Sequence, residues 1–213
     1  MTETKKILIA DDHTIVSKGL TYLFTLNFSN CIITEVPSIK DTMKQLNDPS
    51  FTHLILDVNL IDGNTMDYIP KMLEQNPLLQ ILVYSMMSEE IYGKKVLDMG
   101  TSGFLSKASS EVEVMKALKI FIEGGIYKSN RLKAHLSHNH NHGEENSFFK
   151  LTVSELRVLN LILKGKRTKE ISGELNVADQ TIATFKSRIF KKLDTENIFE
   201  IMKLAELNGI NLA

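Results

Sequence analysis

His53-Leu-Ile-Leu-Asp57 is a short apolar run that ends in a carboxylate. Such a run, bounded by polar residues, reads as a buried strand. Outward from it the same unit recurs. Upstream, Lys6-Ile-Leu-Ile-Ala10 is another strand and runs directly into Asp11-Asp12. Val16, Leu20, Leu23 and Phe24 follow at helical spacing. Cys31-Ile-Ile-Thr-Glu-Val36 is a second strand, and Thr42, Met43 and Leu46 mark a short helix after it. Downstream, Met66, Ile69, Met72 and Leu73 fit a helix that Pro77 helps to close. Gln80-Ile-Leu-Val-Tyr-Ser85 is a fourth strand, with a helix from Ile91 to Met99 stopped by Gly100. Gly103-Phe-Leu-Ser106 is a fifth, and Val112, Met115, Leu118 and Ile122 line the helix that Gly124-Gly125 ends. Five βα units predict an α/β, doubly wound, five-stranded parallel sheet covered on both faces. In such sheets the site lies outside the carboxyl ends of the strands.

Three carboxylates fall there. Asp11 and Asp12 follow the first strand and Asp57 ends the third. In a 2-1-3-4-5 sheet these strands are neighbours, so the acids converge. Converging like charges raise one another's pKa unless a cation joins them. A hard divalent ion, Mg²⁺ above all, suits that set of oxygens. Ser85 adds a hydroxyl and Lys107 a mobile cation at two other strand ends. Together these groups suit in-line phosphoryl transfer to a carboxylate. Each residue also has a plainer reading. Asp11 or Asp12 would serve as a helix cap, Asp57 as a turn residue and Lys107 as a surface charge.

Residues 126–147 change character. Lys128-Ser-Asn-Arg131 and the stretch from His138 to Ser147 are polar and lack periodicity, which reads as a linker. His138, His140 and His142 are metal-capable, but alternating histidines without fixed geometry favour a solvated segment. From Leu151 onward everything reads helical, which predicts an all-α, four-helix domain over 148–213. Leu156, Leu159 and Leu163 form one stripe, and Ile171 and Leu175 belong to a short second helix. Asn176-Val-Ala-Asp179 makes a turn before a third helix whose apolar arc is Ile182, Phe185, Ile189 and Leu193. Ile201, Leu204, Ala205 and Asn208 sit on a fourth. The opposite arc of the third helix holds Gln180, Ala183, Thr184, Ser187, Arg188 and Lys191. Its small residues let a helix approach a major groove, and its cations meet phosphates.

Bulk properties agree with two domains. The chain has 213 residues, 43% hydrophobic and 24% charged. Its net charge of −1 hides an asymmetry. Residues 1–130 carry 12 Lys and Arg against 16 Asp and Glu; residues 148–213 carry 11 against 8. The basic half tolerates a polyanion better. No apolar run approaches the roughly 18 residues that cross a bilayer. The single cysteine, Cys31, excludes an internal disulfide and reads as a small buried residue. A cytoplasmic protein is expected.

Asp11-Asp12, Leu-Ile-Leu-Asp57-Val-Asn59, Val-Tyr-Ser85 and Gly103-Phe-Leu-Ser-Lys107 together resemble the receiver domain of two-component response regulators, across about residues 5–125. The resemblance implies a flavodoxin-like fold over 1–125 and a linker over 126–147. It implies that Asp57 accepts a phosphoryl group from a sensor histidine kinase. It implies that Asp12 binds Mg²⁺ directly, Asp11 mainly through water, and Asn59 through its backbone carbonyl. Ser85 would bond the phosphoryl group, Lys107 would pair with it, and Phe104 would be an aromatic switch or else core. Beyond slow self-dephosphorylation no enzyme activity is implied. Met87, two residues past Ser85, lies where a side chain controls access of hydrolytic water. Three positions depart from the family: Ile61 where proline is usual, Thr65 where glycine is usual, and Ala108 where proline commonly follows the lysine.

Leu151-Thr-Val-Ser-Glu155-Leu-Arg-Val-Leu159, Gly165, Lys169-Glu-Ile171, Thr181-Ile182, Arg188-Ile189 and Lys192-Leu193 resemble the LuxR-type helix-turn-helix. The pair of resemblances places the chain in the NarL/FixJ group. It implies binding to double-stranded promoter DNA, with Ala183, Thr184 and Ser187 nearest the bases and Thr181, Arg188 and Lys191 on phosphates. It also implies a homodimer contact through Ile201, Leu204 and Asn208. Here Ala178 stands where a capping serine is usual, and Phe185 where a histidine is. A strand-end Asp57-x-Asn59 also resembles phosphatases that use an aspartyl nucleophile. Those need a general acid two residues on, and Asn59 cannot serve as one. A binding module with a silent receiver is the other rival, and the complete acid set argues against it.

Overall fold

A computed structural model describes residues 4–141 and 147–207. It divides into two units, Met1–Lys133 and Ala134–Ala213. The first holds the five parallel strands expected from sequence: β1 (Lys5–Ala10), β2 (Cys31–Val36), β3 (Phe51–Leu56), β6 (Gln80–Ser85) and β7 (Gly103–Ser106). Between β3 and β6 lies a small antiparallel hairpin, β4 (Asn59–Leu60) and β5 (Gly63–Asn64), that the sequence reading did not anticipate. The main sheet runs β2-β1-β3-β6-β7. Register pairs Ala10 with both Val36 and Leu56, so Asp11 and Asp57 emerge side by side at the carboxyl edge.

Helices α1 (Thr14–Asn27), α2 (Ile39–Gln45), α3 (Ile69–Gln75), α4 (Glu89–Asp98) and α5 (Glu111–Ile122) cover the sheet. Ser38 and Ser110 cap α2 and α5 by accepting the backbone N–H of Asp41 and Glu113. One core joins Ile7, Ile9, Ile55 and Leu82 of the sheet to Phe24 of α1 and Phe121 of α5. Its apolar face on α5 differs from the expected stripe. Val112 is 80% exposed, Leu118 is buried as expected, and Val114, Ala117 and Phe121 turn inward beside it. Those residues fill the one arc of the helix free of charge, while Val112 lies among Glu111, Glu113, Lys116 and Lys119. Cys31 is half-buried rather than enclosed.

The segment 126–147, read as a linker, contains a helix, α6 (Asn130–Asn141). Residues 127–132, up to its first turn, belong to the first unit. Tyr127 pairs with Gly103 as an isolated bridge and is buried. The Ser129 hydroxyl donates to Glu89 of α4 at 2.7 Å and accepts the N–H of Leu132 at 3.0 Å. Leu132 is fully buried where a Cβ on Gly93 would come within 2.9 Å of it. Sparse apolar residues hid this helix, because its anchor is tertiary. The side chains of His138 and His140, and His142 altogether, lie outside the described residues.

The second unit has four helices after a 3-10 turn at Ser147–Lys150. They are α7 (Val153–Leu163), α8 (Thr168–Leu175), α9 (Asp179–Leu193) and α10 (Ile198–Leu207). Asn176, at φ 51°, turns the chain between α8 and α9. Ile201 and Ala205 of α10 are fully buried within this unit. Ile201 is therefore core and unavailable as the dimer contact expected of it. Phe199 and Met202 of that helix are exposed, and Asn208 lies outside the described residues. Among the described residues no helix is long and apolar enough to cross a membrane.

Candidate functional site

Each parallel strand delivers its last residues to one edge. The backbone N–H of Asp57 donates to Ala10 at 2.9 Å, and that of Asp11 donates to Val36 at 3.1 Å. Both aspartates are buried. Lys107, carried in from β7, places Nζ at 2.6 Å from Asp11 Oδ2 and at 2.6 Å from Asp57 Oδ2. Burial alone would lower its pKa, but hydrogen bonds and charge from Asp11 and Asp57 outweigh burial and raise it. The lysine is thus a fixed cation between two carboxylates. Its backbone N–H also donates to Ser85 at 2.9 Å, which ties the two remaining strand ends together. Ser85 is buried and pairs in register with Ser106.

Neither acid caps α1, whose N-cap is His13 with no side-chain bond, so the plainer reading of Asp11 fails. Oδ1 accepts the His13 N–H at 2.9 Å ahead of α1, while Oδ2 meets the lysine. Asp12 is more exposed and lies 2.8 Å from the His13 ring. Oxygens of Asp11, Asp12 and Asp57 and a nitrogen of His13 all fall within 4.8 Å of one another. Hard carboxylate oxygens so close together fit a small divalent cation. Asn59 opens β4, and its side-chain oxygen accepts from Asn64 at 3.2 Å. Phe104 is fully buried on β7 opposite Val83.

Three neighbours escaped the sequence reading. His13 joins the acids simply by following them. Tyr84, half-buried, sets its ring 5.9 Å from Lys107 Nζ. Thr65, fully buried, donates its hydroxyl to the Asp57 carbonyl at 2.7 Å. Chain adjacency could have flagged His13 and Tyr84; no signal flagged Thr65 as a partner of Asp57.

In the second unit α9 packs against α7 and α8 through Ile182, Ile189 and Leu193. That leaves Ala183, Thr184, Ser187, Arg188 and Lys191 exposed and Thr181 half-buried. No side chain caps α9 at Ala178. Asp179 in its first turn instead accepts from the Ser172 hydroxyl and ties α9 to α8. Gln180, Thr181, Thr184, Phe185 and Arg188 line one shallow concavity on the outer face. Phe185 is half-buried at its edge.

Comparison with known proteins agrees with both halves. Residues 7–119 match the response regulator receiver domain, and residues 150–205 match the bacterial regulatory proteins of the luxR family. The chain is 22% identical over 207 residues to the response regulator GacA of Pseudomonas syringae, covering 96% of this chain and 97% of that one. It is 27% identical to the oxygen regulatory protein NreC of Staphylococcus haemolyticus, covering 94% and 96%. Among solved structures it resembles RcsB of Salmonella enterica bound to promoter rprA in the presence of the phosphomimetic BeF3⁻. There the TM-score is 0.67 at 25% identity, covering 95% of this chain and 98% of that one. The chain belongs to the two-component response regulators that join a receiver domain to a LuxR-type DNA-binding domain and regulate transcription.

Proposed function

We propose that Asp57 is the phosphoryl acceptor, and that its phosphorylation by a sensor histidine kinase controls promoter binding by the C-terminal domain. The observation that carries this is Lys107, bonded at 2.6 Å to the buried Asp57 carboxylate at the open edge of the sheet. In the transfer an Asp57 oxygen forms a bond to phosphorus as the donor's phosphorus–nitrogen bond breaks. Lys107 then exchanges a carboxylate partner for a phosphoryl oxygen, and the Ser85 hydroxyl donates to another. Asp11, Asp12, Asp57 and the Asn59 carbonyl would hold Mg²⁺. When bound, the ion neutralises charge that builds on the transferring group. Phe104 follows the movement of Ser85 as the switch residue. Functionally the receiver spans 1–125, residues 126–147 connect, and 148–213 bind DNA as a homodimer, in the cytoplasm.

The test is the affinity of the full chain for its promoter with and without acetyl phosphate and Mg²⁺. Affinity is expected to rise on phosphorylation. Unchanged affinity would replace the switch with constitutive binding.

Two further expectations attach to single residues. Arg188→Ala should weaken binding to every DNA sequence alike and flatten the salt dependence by about one phosphate contact. A selective loss at one base pair would assign Arg188 to base reading instead. Met87, two residues beyond Ser85, is half-buried. Replacing it with glutamate draws hydrolytic water toward the phosphoryl group, so the phosphorylated form should decay several-fold faster. Equal lifetimes would remove Met87 from that role.

A further inference from the structure

The loop after the acceptor lacks both the proline and the glycine usual in the family, yet it is tightly built. Gly63 supplies the turn at φ 143°. Thr65 sits at φ −81°, ψ −19°, a conformation any residue adopts, so a side chain is free to stand there. That side chain is fully buried. Its hydroxyl donates to the Asp57 carbonyl at 2.7 Å, with the Val58 carbonyl farther off at 3.3 Å, while its N–H donates to the Val58 carbonyl at 2.8 Å. With the Asp57 N–H already bonded to Ala10, both backbone groups of the acceptor are tied down. The hairpin is anchored at its tip as well. Asp62 accepts the N–H groups of Ile39 and Lys40 at the start of α2, at 2.7 and 3.0 Å. Asn64 bonds Asn59 across the hairpin.

We infer that Thr65 is a positioning residue for phosphoryl acceptance: its hydroxyl fixes the backbone from Asp57 to Asn59, and so sets the aim of the Asp57 carboxylate and the Asn59 carbonyl toward the divalent cation. The inference rests on the reading of Asp57 as acceptor. The peptide between the two ligand-bearing residues is short, so rotation at the Asp57 carbonyl moves both. Threonine and the Asp62 anchor take over the stiffening that proline gives elsewhere in the family.

The experiment compares Thr65→Val, which keeps the shape and removes the donor, with Thr65→Ser, which restores it. Mg²⁺ affinity is read directly by calorimetry on the full chain, and phosphoryl uptake from acetyl phosphate is read as a function of Mg²⁺. Thr65→Val is expected to weaken Mg²⁺ binding roughly tenfold, as loss of an outer hydrogen bond to a ligand does. The Mg²⁺ needed for half-maximal uptake should rise in step, with the saturated rate changed much less. Thr65→Ser should return both to near wild type. Asp62→Ala, at an exposed turn, should weaken Mg²⁺ in the same direction and covers the case in which Thr65→Val fails to fold. Wild-type Mg²⁺ affinity in Thr65→Val, or in Asp62→Ala if the valine variant is unfolded, overturns the inference. Wild-type protein that binds Mg²⁺ but takes up no phosphoryl group overturns the acceptor reading instead.

Discussion

Wild-type chain incubated with acetyl phosphate and Mg²⁺ is expected to gain one phosphoryl group by intact mass, and Asp57→Asn none. Asparagine is nearly isosteric, so the strand end and the hairpin after it are kept. What is lost is the anionic oxygen that attacks phosphorus, and a neutral amide does not replace it. The fold should tolerate the change. Lys107 keeps Asp11 at 2.6 Å, and a buried cation with one carboxylate partner remains compensated. The effect is therefore all-or-none on chemistry and small on stability. Label that persists in Asp57→Asn would place the acceptor on another residue, and DNA affinity should then still respond to acetyl phosphate in that variant.

Glu155→Ala is expected to destabilise the C-terminal unit by about 2 to 3 kcal/mol, combining a lost cap with a lost charge-assisted bond. Glu155 is only 2% exposed. Its carboxylate accepts the Thr152 N–H at 2.7 Å and Lys192 Nζ at 2.7 Å, and its own N–H donates to the Thr152 hydroxyl at 3.3 Å. This capping box starts α7, and the lysine ties it to α9, the helix proposed to face DNA. Lys192 is 35% exposed and can rehydrate, so the ion pair itself contributes at the low end. For a unit this small, the loss lowers Tm by roughly 10 °C. Burial raises the Glu155 pKa, but the bonds from Lys192 and Thr152 outweigh it and hold the carboxyl below its ordinary 4.5. A depressed carboxyl stabilises above its unfolded value, and the benefit is lost as pH falls through the folded one. The gap between wild type and Glu155→Ala should therefore narrow on acidification below about pH 4.5. Thermal unfolding of both proteins measured across that range checks it, and a gap independent of pH would mean that packing alone holds α7.

Much of this was legible in the chain. Buried strands announce themselves as apolar runs, and their boundaries followed within two residues. The turn before α9 was legible because Asn176 suits a left-handed conformation. Where apolar residues were too many or too few, the pattern lost its power. Helix α5 also carries apolar residues such as Val112 on its charged side, which blurred the choice of its buried face. Helix α6 has too few apolar residues, and Leu132 is buried only because α4 leaves a glycine beneath it. Ile201 looked like a surface contact and is core, since a stripe on an amphipathic helix does not say which partner covers it.

Sequence alone determined the order of the five sheet strands and of the helices other than α6, the carboxylates at the strand ends and the polar face of α9. These depend on local period and on residue chemistry, which act within a few positions. Only the tertiary structure decided that Lys107 stands between Asp11 and Asp57, that Thr65 grips the Asp57 carbonyl, and that residues 127–132 pack onto β7 and α4. Those contacts join residues far apart in the chain or set by loop geometry. They form only when parallel register brings the strand ends together and burial makes each unpaired polar group find a partner.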